Sequence, residues 1–308
     1  MNLLLFSLLA SFWGGSFVAI KASLESFPPL FSASLRVLTA LTAIAIIYKL
    51  MKIDTKIPKK DKVLCYVLGF FSISLPFSLL FWGEQFVEAG IAGVINGTTP
   101  IWTFLSAYFV FQTEKNSVKT TLAGIFTSFL GIYLIFSPKI EFGTSSQEIY
   151  GIIAIFGMAI SYGIGGNLAK KIMSNPAVTP KKAIYHQHVS AAVVLLTASL
   201  SFEWQQIFAV KEIPLKASLS LVYLGVCSTA IAYIILFHLV NKWGTIKAMS
   251  VTYLIPVMAL IFDYLLYGNV LLPIQFAGVV VVSLGLLILQ RPTNLLKSHK
   301  IGHQKKRI

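Results

Sequence analysis

The segment Ala92-Gly-Val-Ile-Asn-Gly-Thr-Thr-Pro-Ile-Trp102 has a partner later in the chain, Ala248-Met-Ser-Val-Thr-Tyr-Leu-Ile-Pro-Val-Met258. Superposing Pro100 on Pro256 aligns Ala92 with Ala248 and carries Phe81 onto Phe237. Downstream, Gly124 and Gly131 match Gly278 and Gly285, each pair seven residues apart. Upstream, Trp13-Gly14 matches Tyr162-Gly163, Pro29 matches Pro180, and Arg36 matches Gln187. The order of these markers is the same in both halves, which is the signature of an internal repeat.

The units being repeated are apolar. Of 308 residues, 56% are hydrophobic and only 12% are charged, with a mean hydropathy of +0.79. A soluble domain carries about 25% charged residues, so most of these side chains need lipid or other helices as their solvent. Ten stretches are long enough to span a bilayer: 2–21, 29–49, 63–82, 89–111, 118–137, 149–172, 182–201, 217–237, 245–267 and 272–289. The first has no Lys or Arg before it and runs on past Trp13, so it reads as a spanning helix and not as a cleaved signal. The expected fold is an all-α integral membrane protein of ten transmembrane helices. Residues 1–138 form one five-helix repeat, 139–290 a second, and 291–308 a basic tail. Five is odd, so the second repeat enters the membrane from the opposite side. Such inverted repeats are common among secondary transporters.

The net charge of +14 is distributed as a topology signal. With the N-terminus inside, twenty of the 25 Lys and Arg fall in inner loops or the tail. Four fall in outer loops (Lys21, Lys139, Lys211, Lys216), and Arg36 lies within a helix. This asymmetry puts both termini in the cytoplasm of a plasma (bacterial inner) membrane. It also removes nucleic acid as a partner, since no soluble basic domain exists to hold one. Lipid is the expected surroundings, and a homodimer is left open.

Few residues carry chemistry. Arg36 is the only basic residue well inside a span and Asp263 the only acid, at comparable depth, so the two are candidates for a pair. Trp13, Asn96, Thr99, Trp102, Tyr162, Asn167 and Tyr253 interrupt helices one, four, six and nine with amides, a hydroxyl and aromatic rings. Such groups need partners or a wet cavity. They are the expected lining of a mid-membrane solute site, with Arg36 at its outer margin. Pro100 and Pro256 bend matching helices and free a carbonyl in each. Gly124, Gly131, Gly278 and Gly285 share helix faces and read as close-packing positions. Glu114 reads as structural, His186, His188 and His238 as interfacial, and Cys65 and Cys227 as small apolar side chains. No metal spacing, phosphate loop or other cofactor motif is present. A membrane enzyme would need clustered acids or histidines, which are absent. The function expected is secondary transport, in the export direction, of a metabolite, amino acid or drug-like solute by alternating access. A membrane enzyme or a non-transporting assembly protein is the alternative.

The stretch Phe12-Trp-Gly-Gly-Ser-Phe-Val-Ala-Ile-Lys21, with Pro28-Pro29 and Leu35-Arg36, resembles the opening of the EamA-type drug/metabolite transporter family. So does 92–102 with Glu114 and Gly124, and the second half repeats the pattern from Val251 to Gly285. The resemblance implies ten helices in two repeats, cytoplasmic termini and a central pathway lined by the non-peripheral helices. One departure stands out: the acid at Glu114 has Asn269 as its counterpart. The charge asymmetry gives a direct test. Reporter fusions at Pro58 and in the tail should both report cytoplasm, and a periplasmic signal from either would overturn the topology.

Overall fold

The computed structural model describes residues 1–113, 118–137, 145–210, 212–258, 260–261, 270 and 272–290. Every regular element among them is helical. Eight helices are long and apolar enough to cross a membrane: α1 (Asn2–Leu24), α2 (Pro29–Leu50), α3 (Lys59–Gly83), α5 (Val118–Phe136), α6 (Ser146–Ile172), α7 (Pro180–Phe202), α8 (Leu215–Trp243) and α10 (Pro273–Gln290). Between α3 and α5 runs α4, which is Ala89–Asn96 followed by Thr99–Leu105 and a wide turn over Ser106–Val110. Before α10 lies α9 (Thr245–Met258), shorter than a full span in its described part. Leu4, Val18, Phe109, Phe126, Phe276 and Leu287 point outward and are exposed, as a lipid-facing surface requires. The chain is a multi-pass integral membrane protein. Glu114, Asp263, Asn269 and the tail lie outside the described residues.

Local chemistry sets the helix ends. Pro29 opens α2 at the position where a missing N–H costs nothing. Two of that end's free N–H groups, from Leu30 and Phe31, donate to the Glu203 carboxylate at 2.9 and 2.8 Å. Ser145 accepts from the Glu148 N–H to start α6. Gly244 takes φ +85° and lets α8 turn directly into α9, a conformation that a side chain would strain.

The helices pack reciprocally between halves. α1 lies on α8 and α6 on α3; α4 lies on α6 and α9 on α1; α2 and α7 face each other. The closest seam joins α5 and α10. A Cβ at Gly131 would fall 2.5 Å from the Val282 nitrogen and 2.8 Å from the Gly278 oxygen. One at Gly285 would fall 2.5 Å from the Ser128 nitrogen and 2.9 Å from the Gly124 oxygen. The glycines of one half thus meet those of the other, backbone to backbone.

One end of the bundle is basic. There Lys182 lies 3.6 Å from Asp54, His186 donates to the Thr55 carbonyl, and Lys170 to the Asn241 carbonyl. The other end holds the Lys216–Glu25 pair at 2.8 Å and the Glu203 cap. Of the three histidines expected at the interface, His188 is fully buried and donates from Nδ1 to the Ile184 carbonyl one turn back. Gly285→Ala should lower the thermal stability of purified protein by about 1–3 kcal/mol, the usual cost of overpacking. An unchanged melting temperature would show that the α5–α10 seam is looser than described.

Candidate functional site

The site is built where helices depart from regularity. Pro100 and Pro256 have no N–H to give to the carbonyls of Asn96 and Thr252 four residues back. α4 is broken over Gly97–Thr98, and α9 tightens into a 3₁₀ turn over Ser250–Tyr253. α3 and α8 each contain a wide turn, at Phe70–Ser74 and Val226–Ile231. Such turns leave carbonyls available to side chains. In α3 the reason is visible in sequence, because Pro76 cannot bond Ser72 four residues earlier.

The freed carbonyls are taken by side chains from other helices. The Tyr233 hydroxyl donates to the Ser72 carbonyl. The Trp13 indole donates to the Ser228 carbonyl at 3.1 Å, and Arg36 Nη2 to the same oxygen at 3.3 Å. Arg36 Nε donates to Thr229 Oγ1 at 2.8 Å, and that hydroxyl donates on to Leu224. The Phe77 ring lies under the guanidinium, 4.1 Å from Cζ to the centroid. Gly15 leaves room for the Tyr223 hydroxyl, 2.5 Å from where its Cβ would stand.

These side chains surround a narrow central cavity of about 40 Å³, room for a few waters. Its wall includes Trp13, Arg36, Asn96, Thr99 and Tyr162. Phe77, Met158, Tyr233, Met249 and Thr252 complete much of the rest. Arg36 is only 3% exposed, and its Nη1 has no hydrogen-bond partner among the described residues. A second, smaller space of about 20 Å³ adjoins it, lined by Gly166, Ala169, Leu236 and Val240 toward the basic end. Trp13, Tyr162, Tyr233 and Met249 belong to both walls, so an aromatic partition separates the two chambers.

Five of the eight residues expected to line a site therefore come together, and three stand elsewhere. Asn167 donates from Nδ2 to the Thr103 carbonyl at 2.8 Å and to Ser106 Oγ at 2.7 Å, stapling α6 to α4. Trp102 donates to Thr98 Oγ1 on its own helix. Its backbone lies against α6 at Gly163, where a Cβ would stand 2.7 Å from the Trp102 carbonyl carbon. Tyr253 is fully buried and donates to the Ile125 carbonyl, joining α9 to α5. Arg36 stands in the cavity wall, not at an outer margin, and its bonds run to α8. Asp263, its expected partner, falls outside the described residues.

Sequence reasoning missed Tyr233 and Phe77, although the superposition that pairs Pro100 with Pro256 also pairs these two. It also missed Glu84, which follows the last residue of α3 and is fully buried. Asn167→Ala should cost about 0.5–2 kcal/mol of stability, in the range of interhelical bonds in membranes, and leave solute affinity unchanged. An affinity loss without destabilisation would return Asn167 to the binding wall.

Comparison with known proteins agrees with this architecture. The model of the EamA-like transporter family matches twice, over residues 1–137 and 149–291. A probable amino-acid metabolite efflux pump of Salmonella typhimurium is 30% identical over 288 residues, 90% of each chain. The protein of the same description in Escherichia coli is 28% identical, covering 94% of this chain and 95% of its own. An uncharacterized transporter of Archaeoglobus fulgidus is 28% identical, covering 92% and 97%. A crystal structure 14% identical in sequence superposes with a TM-score of 0.75 over 94% of this chain and 98% of its own, which shows a shared fold. The apolar helices, the central cavity and the doubled family match lead to one conclusion: the chain belongs to the EamA-like transporter family.

Proposed function

We propose that the protein carries a small solute bearing a carboxylate, of the amino-acid class, through the central cavity by alternating access. In this reading the chain spans the plasma membrane ten times, α4 and α9 being the fourth and ninth spans. Its two five-helix repeats are inverted, and both termini are cytoplasmic. The doubled family match and the reciprocal packing of helices support the repeat. The clustering of lysines at one end supports the orientation. The names of the relatives from Salmonella typhimurium and Escherichia coli favour export of amino-acid metabolites.

The observation that carries the reading is Arg36. A buried guanidinium is costly in a bilayer, and this one is held by Thr229, Ser228 and Phe77 while Nη1 has no partner among the described residues. A cation fixed in an otherwise mostly apolar wall recognises an anionic group. Asn96, Thr99 and Thr252 supply weaker polar contacts, and Trp13 and Tyr162 supply ring faces. Trp102, Asn167 and Tyr253 support the wall from behind. Alternation requires the partition of Trp13, Tyr162 and Tyr233 to open the cavity to the chamber at the basic end.

Counterflow of radiolabelled amino acids in proteoliposomes tests this. Arg36→Gln should weaken uptake of acidic and zwitterionic solutes by about ten- to a hundredfold, the equivalent of the ~1.5–3 kcal/mol of a bond to a charged group, and neutral solutes less. Asn96→Cys should react with a water-soluble thiol reagent and be protected by a transported amino acid, whereas Asn167→Cys stays inert. Equal losses for charged and neutral solutes, or an inert cysteine at 96, would overturn the assignment.

A further inference from the structure

The cavity accounts for Arg36 but not for the acid near it. Glu84 is 0% exposed, and neither carboxylate oxygen meets a donor among the described residues. Three charged or ionisable groups act on it from three helices. Lys21 of α1 donates its ammonium to the Glu84 backbone carbonyl. Arg36 of α2 lies over the rings of Phe77 and Phe81, 4.1 and 5.9 Å from Cζ to the centroids, on the face of α3 that runs on to Glu84, and Tyr162 of α6 stands in the same cavity wall as Arg36. The two ion pairs of the described residues, Lys182–Asp54 and Lys216–Glu25, are both elsewhere. The Glu84 carboxyl is therefore pulled two ways. Burial without a donor favours the neutral acid, and two nearby cations favour the carboxylate. A solute can alter one of those cations, because Arg36 stands in the cavity wall and its Nη1 has no partner among the described residues. An anionic group seated on the guanidinium removes one of the two positive charges that oppose protonation of Glu84.

We propose that Glu84 is a proton-binding site linked, through Arg36, to occupancy of the central cavity. The inference rests on the cavity being the solute site. A proton from water adds to one Glu84 carboxylate oxygen as the solute's carboxylate engages Arg36. It returns to water when the solute leaves, and no bond in the solute forms or breaks. The linkage is positive and reciprocal: acid pH tightens binding of anionic solute, and anionic solute raises the proton affinity of Glu84.

Two measurements on the purified full-length protein decide this. The first uses no solute. In an infrared pH titration, wild type should show a protonated-carboxyl C=O band that fades as pH rises and is missing from Glu84→Gln. Glu84→Asp, which keeps a titrating group, should show the band at a shifted pH. The second adds L-glutamate, L-alanine or L-phenylalanine to weakly buffered protein with a pH-indicator dye. Wild type should take up protons on binding, and Glu84→Gln should bind the amino acid without proton uptake. The proposal is overturned if Glu84→Gln and wild type give the same band at every pH, or if bound amino acid draws equal proton uptake from both. If neither protein binds any of the three amino acids, the solute reading fails, and the infrared titration still decides the proton site.

Discussion

A backbone carbonyl released inside a bilayer has no water to turn to, so something in the protein has to donate to it or line it with a cavity. The architecture of the site follows from that constraint. Pro76, Pro100 and Pro256 each withhold an N–H, and the wide turns in α3 and α8 disturb others. The Ser72 and Ser228 carbonyls are then covered by Tyr233, Trp13 and Arg36, side chains that also form the cavity wall. The residues that stabilise irregular backbone are thus the residues that face the cavity. Cavity wall, bending and backbone satisfaction share one set of groups, so none can be altered alone.

The long spans were legible because partition into lipid is nearly local: each apolar run declares itself without reference to its neighbours. The breaks in α4 and α9 were legible for the same reason, since Pro100 and Pro256 act on their own helices. The glycine seam was legible from spacing, which fixes a helix face. The partner face was not legible: it is the matching glycines of the other half. What depends on adjacency was not legible. Asn96 and Asn167 look alike in sequence, yet one lines the cavity and the other staples α6 to α4, because Thr103 and Ser106 happen to lie opposite it. The wide turn at 226–231 sits in a largely apolar run with no proline to mark it. Glu84 reads as an ordinary acid just beyond a helix end. Its burial follows from tertiary contacts with α1 that spacing does not encode.

Arg36 and Gln187 stand at matching places in the two halves. Gly225 packs its backbone against Arg36, with 3.0 Å from a Cβ to the Arg36 oxygen, and Gly69 packs in the same way within 3.1 Å of the Gln187 backbone. One site is a cation holding on to α8. The other is an amide whose two side-chain atoms are buried and unpartnered among the described residues. Two identical five-helix subunits would be obliged to place arginine at both, at the cost of a second buried like charge. Joining the halves in one polypeptide removes that obligation. Each half can then drift, so the molecule keeps two related halves while concentrating its charge on one wall. Covalent linkage here is a licence for asymmetry.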